Sequence, residues 1–312
     1  MPAPSAVLVT TLRHAGPSLD SFIAWHLGQG FSHLFLFFDD PADPDLSRVA
    51  NNPAITAIPN DAALRAAWEK LPEWASFGAF IASEVMARQV LNAALAMELA
   101  RARGFSWLLH IDADELFFAP NGQSAADHFG LAEAEPADAI KYWNYEAVPE
   151  EDDIADPFRS VSLFKVPPAI KPGQNRFHFY ANGKSAVRLS AHRMRPRSVH
   201  DFDDPDAPAA TAPSTTHFIL HYACCGFDAL WNKYALLGNF ADRWFGKTDI
   251  AATTGSSLHL EARDMVATGD REKARTFYQN RIAIQDKTKA ETLIREGWLT
   301  RFQRPRKFLT EP

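Results

Sequence analysis

Short, solidly apolar runs that stop at polar or charged residues alternate along the chain with stretches of helical spacing. Ala6–Leu12 and His33–Phe38 are two such runs. Neither alternates as a half-exposed strand would, so both are predicted as strands covered on two faces. Between them Leu19, Phe22, Ile23, His26 and Leu27 recur on one side of a helix, which Ser18 or Asp20 would cap. Strand, helix and strand within about 30 residues predict a parallel pair with a right-handed crossover. No glycine-rich loop follows the first strand, so a dinucleotide or P-loop reading has no support. A brief strand over Ala54–Ile58 and a helix around Ala62–Leu71 come next. Phe77–Arg103 then reads as one long helix, closed by Gly104 with Arg101 and Arg103 near its carboxyl end, as the helix dipole favours. Arg88 and Asn92 interrupt its apolar row. They either face a site or lie at the edge of the stripe.

The run from Trp107 to Phe118 organises the rest. Trp107–Ile111 reads as a buried strand, and it ends abruptly in Asp112, Asp114 and Glu115. In α/β sheets chemistry collects at the carboxyl ends of strands. Asp112 and Asp114 lie two apart, so in extended chain they share a face and could clamp a hard divalent cation, with Glu115 pointing elsewhere. An ordinary acidic turn is the plainer alternative. Beyond it, Ala139–Tyr145 reads as a strand and Glu146–Pro157 as a solvated acidic loop. Strand-like runs follow at Val161–Val166, Arg176–Tyr180 and Ser185–Leu189. Lys184 to His200 is basic, suiting either a diphosphate or solvent. The Pro- and Asp-rich stretch Asp201–Ser214 is expected as a surface loop. Thr216–Tyr222 is the last core strand, and helices follow over Phe227–Leu237, Leu258–Ala267, Arg271–Asn280 and Lys287–Arg295 before a basic tail.

Composition narrows the classes. At 312 residues the chain can bury a large core. A net charge of −6 argues against a nucleic-acid partner that needs broad phosphate neutralisation. Cys224 and Cys225 are adjacent, which suits neither a disulfide framework nor a zinc site but rather buried reduced thiols. The opening residues lack a positive n-region, and no stretch approaches the roughly 18 apolar residues of a membrane span. A cytoplasmic protein is expected. The tail residues Arg301, Arg304, Arg306 and Lys307 permit weak peripheral membrane contact.

Several pieces, in order, carry a resemblance. They are Phe22 to His33 with Trp25, His26, Gly30 and Phe31; Asp39 after the second strand; Arg88-Gln89-Val90-Leu91-Asn92; and Ala102-Arg103-Gly104 through Trp107 to Ile111-Asp112-Ala113-Asp114-Glu115. Lys184-Ser185-Ala186-Val187-Arg188 with a later His200, and His221-Tyr222 before the Phe227–Lys233 stretch, complete the set. Over roughly residues 5 to 240 this resembles the bacterial family-2-like glycosyltransferases and the related family 92, enzymes of the GT-A fold.

The resemblance implies an α/β, Rossmann-like, mostly parallel central sheet flanked by helices, with a catalytic domain over 1–240 and a C-terminal helical extension over 241–312. It implies transfer of a sugar from a nucleotide diphosphate donor, most simply a UDP-sugar, to a hydroxyl of a glycan, glycolipid or small molecule, with inversion. Asp112 and Asp114 would hold Mn2+ or Mg2+ together with His221 or His200, a mixed oxygen and imidazole set that suits Mn2+. Lys184 and Arg188 would face the phosphates, Asp39 the nucleoside, and Arg88, Asn92 and Asp112 would help bind the donor. Glu146 is the candidate base for the acceptor proton, with Asp153 and Asp152 competing. Two departures bear on this. Arg13-His14 stands where the family has Asn-Glu, and Trp143-Asn144-Tyr145-Glu146-Ala147-Val148 where it has an acceptor segment of Trp-x-x-Phe-Gly-Ser. Two rivals follow: a silent nucleotide-binding module with the same fold, and a metal-dependent phosphoesterase or nucleotidyltransferase, which would want a denser ligand set.

Overall fold

The computed structural model describes residues 5–172, 182–238, 240–250 and 257–311. The strand expected over Arg176–Tyr180 lies outside them. The chain divides into two compact units, Met1–Tyr142 with Gly183–Ile219, and Trp143–Asn182 with Leu220–Pro312. The line between them does not fall at residue 240.

The first unit is built on a seven-stranded sheet. Its strands are β1 (Ala6–Leu12), β2 (His33–Phe38), β3 (Ile55–Pro59), β4 (Trp107–His110), β6 (Ala139–Tyr142), β9 (Lys184–Arg188) and β10 (Thr211–Pro213), and β5 (Glu115–Phe118) follows β4 closely without joining this sheet. The spatial order is β10-β6-β9-β4-β1-β2-β3. All the strands run parallel except β9, which opposes both β4 and β6. The expected mostly parallel sheet is therefore present. β1, β2 and β4 are buried along their whole length, as the absence of alternation in their sequences requires.

Helices α1 (Pro17–Gly28), α2 (Ala62–Trp68), α3 (Val85–Ala102) and α4 (Ala125–Ala132) belong to this unit. α1 starts one residue before Ser18, because Pro17 occupies its first turn and Gly16 supplies the cap position at φ 58. Ser18 instead bonds the Ala15 carbonyl. α3 is shorter than the helix expected from Phe77. Glu84 is extended, and Phe80–Glu84 closes as a turn with the Glu84 amide on the Phe80 carbonyl at 2.8 Å. Helical spacing carried on through this break because a turn of similar pitch precedes it. Ala93, Ala94, Ala96, Met97 and Ala100 of α3 pack with Val7, Val9, Phe35, Phe37 and Leu108 of the sheet. Small side chains at these positions let helix and sheet approach closely. Asp201–Ser214 is not only a loop, since Thr211–Pro213 pairs with Ala139–Lys141 as the edge strand.

In the second unit β7 (Asn144–Ala147), β8 (Leu163–Lys165) and β12 (Leu299–Arg301) run antiparallel in the order β12-β8-β7. β11 (Phe218–His221) brings the chain into it at Leu220. Helices α5 (Phe227–Leu237), α6 (Ser257–Ala267), α7 (Arg271–Arg281), α8 (Lys287–Arg295) and α9 (Arg304–Thr310) complete it. Phe227, Leu230, Tyr234, Ala262, Ala274 and Tyr278 form the core of the helical part. The acidic stretch after β7 is structural rather than merely solvated. Glu150 takes both arms of Arg301, at 2.7 and 2.8 Å, and Asp152 accepts from Arg275, Gln279 and Gln285. Arg301 is thereby tied down and is no free basic tail.

Candidate functional site

β1, β2 and β3 are laid down successively to one side, whereas β4 lies on the other side of β1. The sheet order thus reverses between β1 and β4, and in open α/β sheets the carboxyl ends at such a reversal form the binding crevice. Register puts Leu12 beside Phe38 and Val9 beside His110. Arg13-His14, Asp39-Asp40 and Asp112 therefore emerge at this one end of the sheet.

Asp112 does not continue the strand. β4 ends at His110 and β5 begins at Glu115, so the intervening residues turn and Asp112 and Asp114 do not share a strand face. Glu115 folds back instead of pointing away, its Oε2 accepting from the Asp112 amide at 2.7 Å. The Asp112 carboxylate is held on both oxygens: Gln89 of α3 donates to Oδ1 and the Lys184 ammonium to Oδ2, each at 2.7 Å. Lys184 also lies 3.5 Å from Glu115 Oε2 and 3.4 Å from the Val199 carbonyl, with its side chain only 1% exposed. Burial alone would raise the Asp112 carboxyl, but the Lys184 charge overrides it and holds the group well below the usual carboxylate range. Burial alone would likewise lower Lys184, and Asp112 with Glu115 raises it instead. The pair is charged, internal and mutually dependent.

Two neutral imidazoles flank it. Burial, with Lys184 nearby, lowers His200 to about 4 and His110 to about 3. His200 Nδ1 donates to the Gly183 carbonyl at 2.9 Å. Among the described residues, buried His110 Nε2 has no hydrogen-bond partner.

The remaining expected residues have clear places. Arg88 forms a two-pronged pair with Asp39, at 2.5 and 2.7 Å, and also donates to the Ile81 carbonyl. Asp39 is thus at the expected end of the sheet but already paired. Asn92 is 2% exposed, accepting from the Trp68 indole at 3.0 Å and donating to Thr11 Oγ1 at 2.9 Å. Its amide fastens α2, α3 and β1 together. Arg188 pairs with Trp107 at the opposite end of β4 from Asp112. There it bonds Glu133 at 2.8 Å and the carbonyls of Ala132, Glu135 and Ala137, with its guanidinium over the Trp107 ring. Lys184 and Arg188 are the two ends of β9, and its antiparallel direction puts Lys184 rather than Arg188 at the carboxyl end of β4, which a basic count along the sequence could not reveal.

In the second unit Glu146 is buried on β7 and accepts from His221 Nδ1 at 2.8 Å and from Asn144. Lys165 stands directly across the ladder from it, where burial lowers the ammonium and Glu146 raises it, with a net lowering. Asp153 is exposed. Of the expected metal ligands, Asp112, Asp114 and His200 lie in the first unit and His221 in the second. Asp114, half-buried on the turn, adds its field to Lys184. Among the described residues no three His, Cys, Asp or Glu side chains group as a metal site. Asp112 is engaged as an ion-pair partner of Lys184. Gln89 and Glu115 are the site residues that sequence reasoning missed. Gln89 sat inside the Arg88–Asn92 motif, three residues from Asn92 on the next turn of the helix.

No family model matches the chain. Two plant proteins from Arabidopsis thaliana, both named glycosyltransferase-like, are similar over 98% of it, at 28% and 26% identity. The chain spans 72% of the first and 63% of the second. Among solved structures, core-mannan synthase A of Aspergillus fumigatus in a Mn/GDP form aligns over 60% of each chain at 11% identity and a TM-score of 0.28. HddC from Yersinia pseudotuberculosis aligns over 72% of this chain and 96% of its own, at 8% identity and a TM-score of 0.31. In sequence the chain is thus similar to proteins named glycosyltransferase-like, and its described fold is a mixed α/β sheet.

Proposed function

We propose that the protein moves a sugar from a nucleotide diphosphate donor, a UDP-sugar being the first to test, to a hydroxyl of a glycan, glycolipid or small-molecule acceptor. The observation that carries this reading is a carboxylate, Asp112, fixed from behind by Gln89 and Lys184 at the strand reversal between β1 and β4, in a chain whose relatives are named glycosyltransferase-like. With its side chain 29% exposed, Asp112 keeps lone pairs for donor hydroxyls, and its geometry is set before the donor arrives. Asp39, locked by Arg88, is the neighbouring acceptor for the nucleoside.

The run Asp112, Asp114 and Glu115 sets three carboxylates against the Lys184 ammonium, so a bare diphosphate would meet net negative charge. A divalent ion, Mn2+ or Mg2+, carried in with the donor would offset that charge and the charge that builds on the leaving group, with Asp114 as the protein carboxylate toward it. Inversion requires a base for the acceptor proton. Of the three candidates Glu146 is favoured, because its carboxylate is oriented by His221 and Asn144 whereas Asp153 is exposed and Asp152 accepts from Arg275, Gln279 and Gln285.

Incubation with a panel of UDP-sugars and simple glycoside acceptors, read by mass spectrometry, tests the proposal. A product heavier by one sugar, dependent on both substrates, is expected. Release of phosphate or nucleotide without any acceptor product would favour a phosphoesterase instead.

A further inference from the structure

The second unit holds a polar cavity of about 330 Å³ that the transfer scheme does not use. That is the small end of the roughly 300–1,000 Å³ typical of ligand sites. Its walls are the chain just after β7, the segment from Arg159 to Ser162, the end of β12 and Arg306 of α9. Backbone bonds fix these walls to one another. Arg301 lies opposite Leu163 in the β8–β12 ladder, the Phe302 amide donates to the Ser162 carbonyl at 2.9 Å, and the Val148 amide donates to the Leu163 carbonyl at 2.8 Å. The cavity is therefore shaped before anything enters it, which spares a ligand the cost of ordering it.

Charge decides what it would hold. Arg159, Arg301 and Arg306 face it, and read along the sequence such cations would suit an anion. The folded arrangement cancels that field. Glu150 takes two prongs of Arg301 at 2.7 and 2.8 Å, with Glu291 3.7 Å from the same guanidinium. Asp156 lies 3.3 Å from Arg159, and Glu151 adds a further carboxylate to the lining. The carboxylates thus at least match the cations, and no net positive field draws in a phosphate. What remains is hydrogen-bonding capacity of both kinds at fixed places. Arg301 keeps N–H groups that Glu150 does not use, Glu150 keeps lone pairs, and Gln303, which donates to Ser162 Oγ at 3.3 Å, brings an amide carbonyl. Hydroxyl groups donate and accept at once and so match this lining. Ile154 and Val161 add apolar surface for the C–H faces of a ring.

We infer that this cavity binds a neutral saccharide through Arg301, Glu150 and Gln303. The inference stands apart from the nucleotide reading, because every residue it uses belongs to the second unit and none to the strand reversal at Asp112.

The test is saturation-transfer-difference NMR on the full chain with glucose, galactose, mannose, N-acetylglucosamine, lactose, cellobiose and chitobiose, repeated with inorganic phosphate as competitor. Wild type, Arg301→Met and Gln303→Ala are compared, each checked for folding by circular dichroism. At least one sugar is expected to bind saturably and to resist phosphate. Its affinity should fall about tenfold or more in Arg301→Met, which loses a charged donor, and about threefold or more in Gln303→Ala, which loses a neutral one. Should Arg301→Met not fold, Gln303→Ala decides, since that side chain is exposed. Sugar binding that the variants retain would place the sugar elsewhere, as at an acceptor site for transfer, and would overturn the inference. Displacement of the sugar by phosphate, or no binding by any sugar of the panel, would overturn it as well.

Discussion

Replacing Lys184 with methionine removes one ammonium and keeps most of the side-chain volume, so the effect reports charge rather than packing. The ammonium is enclosed, its partner Asp112 is 29% exposed, and Glu115 is 4% exposed. Breaking a buried pair by deleting one member costs about 3–5 kcal/mol, because the other charge is left without compensation. Asp112 can recover some hydration through its open side, which puts the expectation at about 3 kcal/mol, the low end of that range. For a chain of 312 residues, with an unfolding entropy of about 0.66 kcal/mol/K, that corresponds to a fall in Tm of roughly 4–5 °C. Thermal scans followed by near-ultraviolet circular dichroism would measure it. Adding Asp112→Asn in the same chain should restore part of the loss, because the uncompensated carboxylate is then gone, and the coupling between the two changes should be about 1–3 kcal/mol. A loss below about 1 kcal/mol, or full additivity in the double variant, would refute the view that the pair is an internal, mutually dependent unit.

Three other outcomes are expected. Asn92→Ala leaves the Trp68 indole and Thr11 hydroxyl without their partner and should destabilise by about 2–4 kcal/mol by urea titration, as each unsatisfied buried group costs about 1–3 kcal/mol. Arg188→Ala should lower stability measurably while leaving UDP affinity within about twofold, because Arg188 lies at the far end of β4; a weakening of about tenfold, equivalent to about 1.4 kcal/mol, would contradict that placement. Acid should destabilise the fold between about pH 6.5 and 3. His26 and His110 are buried and fall to about 3, so the unfolded chain binds protons there that the folded chain refuses. Their contribution is complete above pH 6.5 and is lost as the pH falls toward 3, at about 1.4 kcal/mol per group at pH 5.5. Glutamine at position 26 should flatten that part of the stability profile.

Much of the scaffold is legible in the sequence because β1, β2 and β4 are unbroken apolar runs, and a strand covered on both faces leaves no other pattern. The carboxyl-end placement of Asp39 and Asp112 follows from the same reading. What was not legible depends on direction and on turns. Lys184 and Arg188 are the two ends of one strand, and only the antiparallel course of β9 decides that Lys184 is the one beside the carboxyl end of β4. The turn after His110 draws Glu115 back to Asp112, although an extended chain would have pointed it away. Several residues that carried the family resemblance turn out to be fasteners. Trp25 bonds the Phe117 carbonyl, His26 accepts from the Phe117 amide, and Asn92 joins Trp68 to Thr11. A recurring polar residue in a fold can mark a buried hydrogen bond as readily as a ligand, and spacing alone does not separate the two.

The most direct test of the central claim is calorimetric titration of UDP, with Mn2+ present, into the wild-type chain and into Asp112→Asn. Saturable binding that weakens by about tenfold or more in the variant is the predicted result, since a hydroxyl bonded to a charged acceptor is worth about 1.5–3 kcal/mol. Absence of binding to wild type, or equal binding to both proteins, would contradict the assignment of the strand reversal beside Asp112 as the donor site.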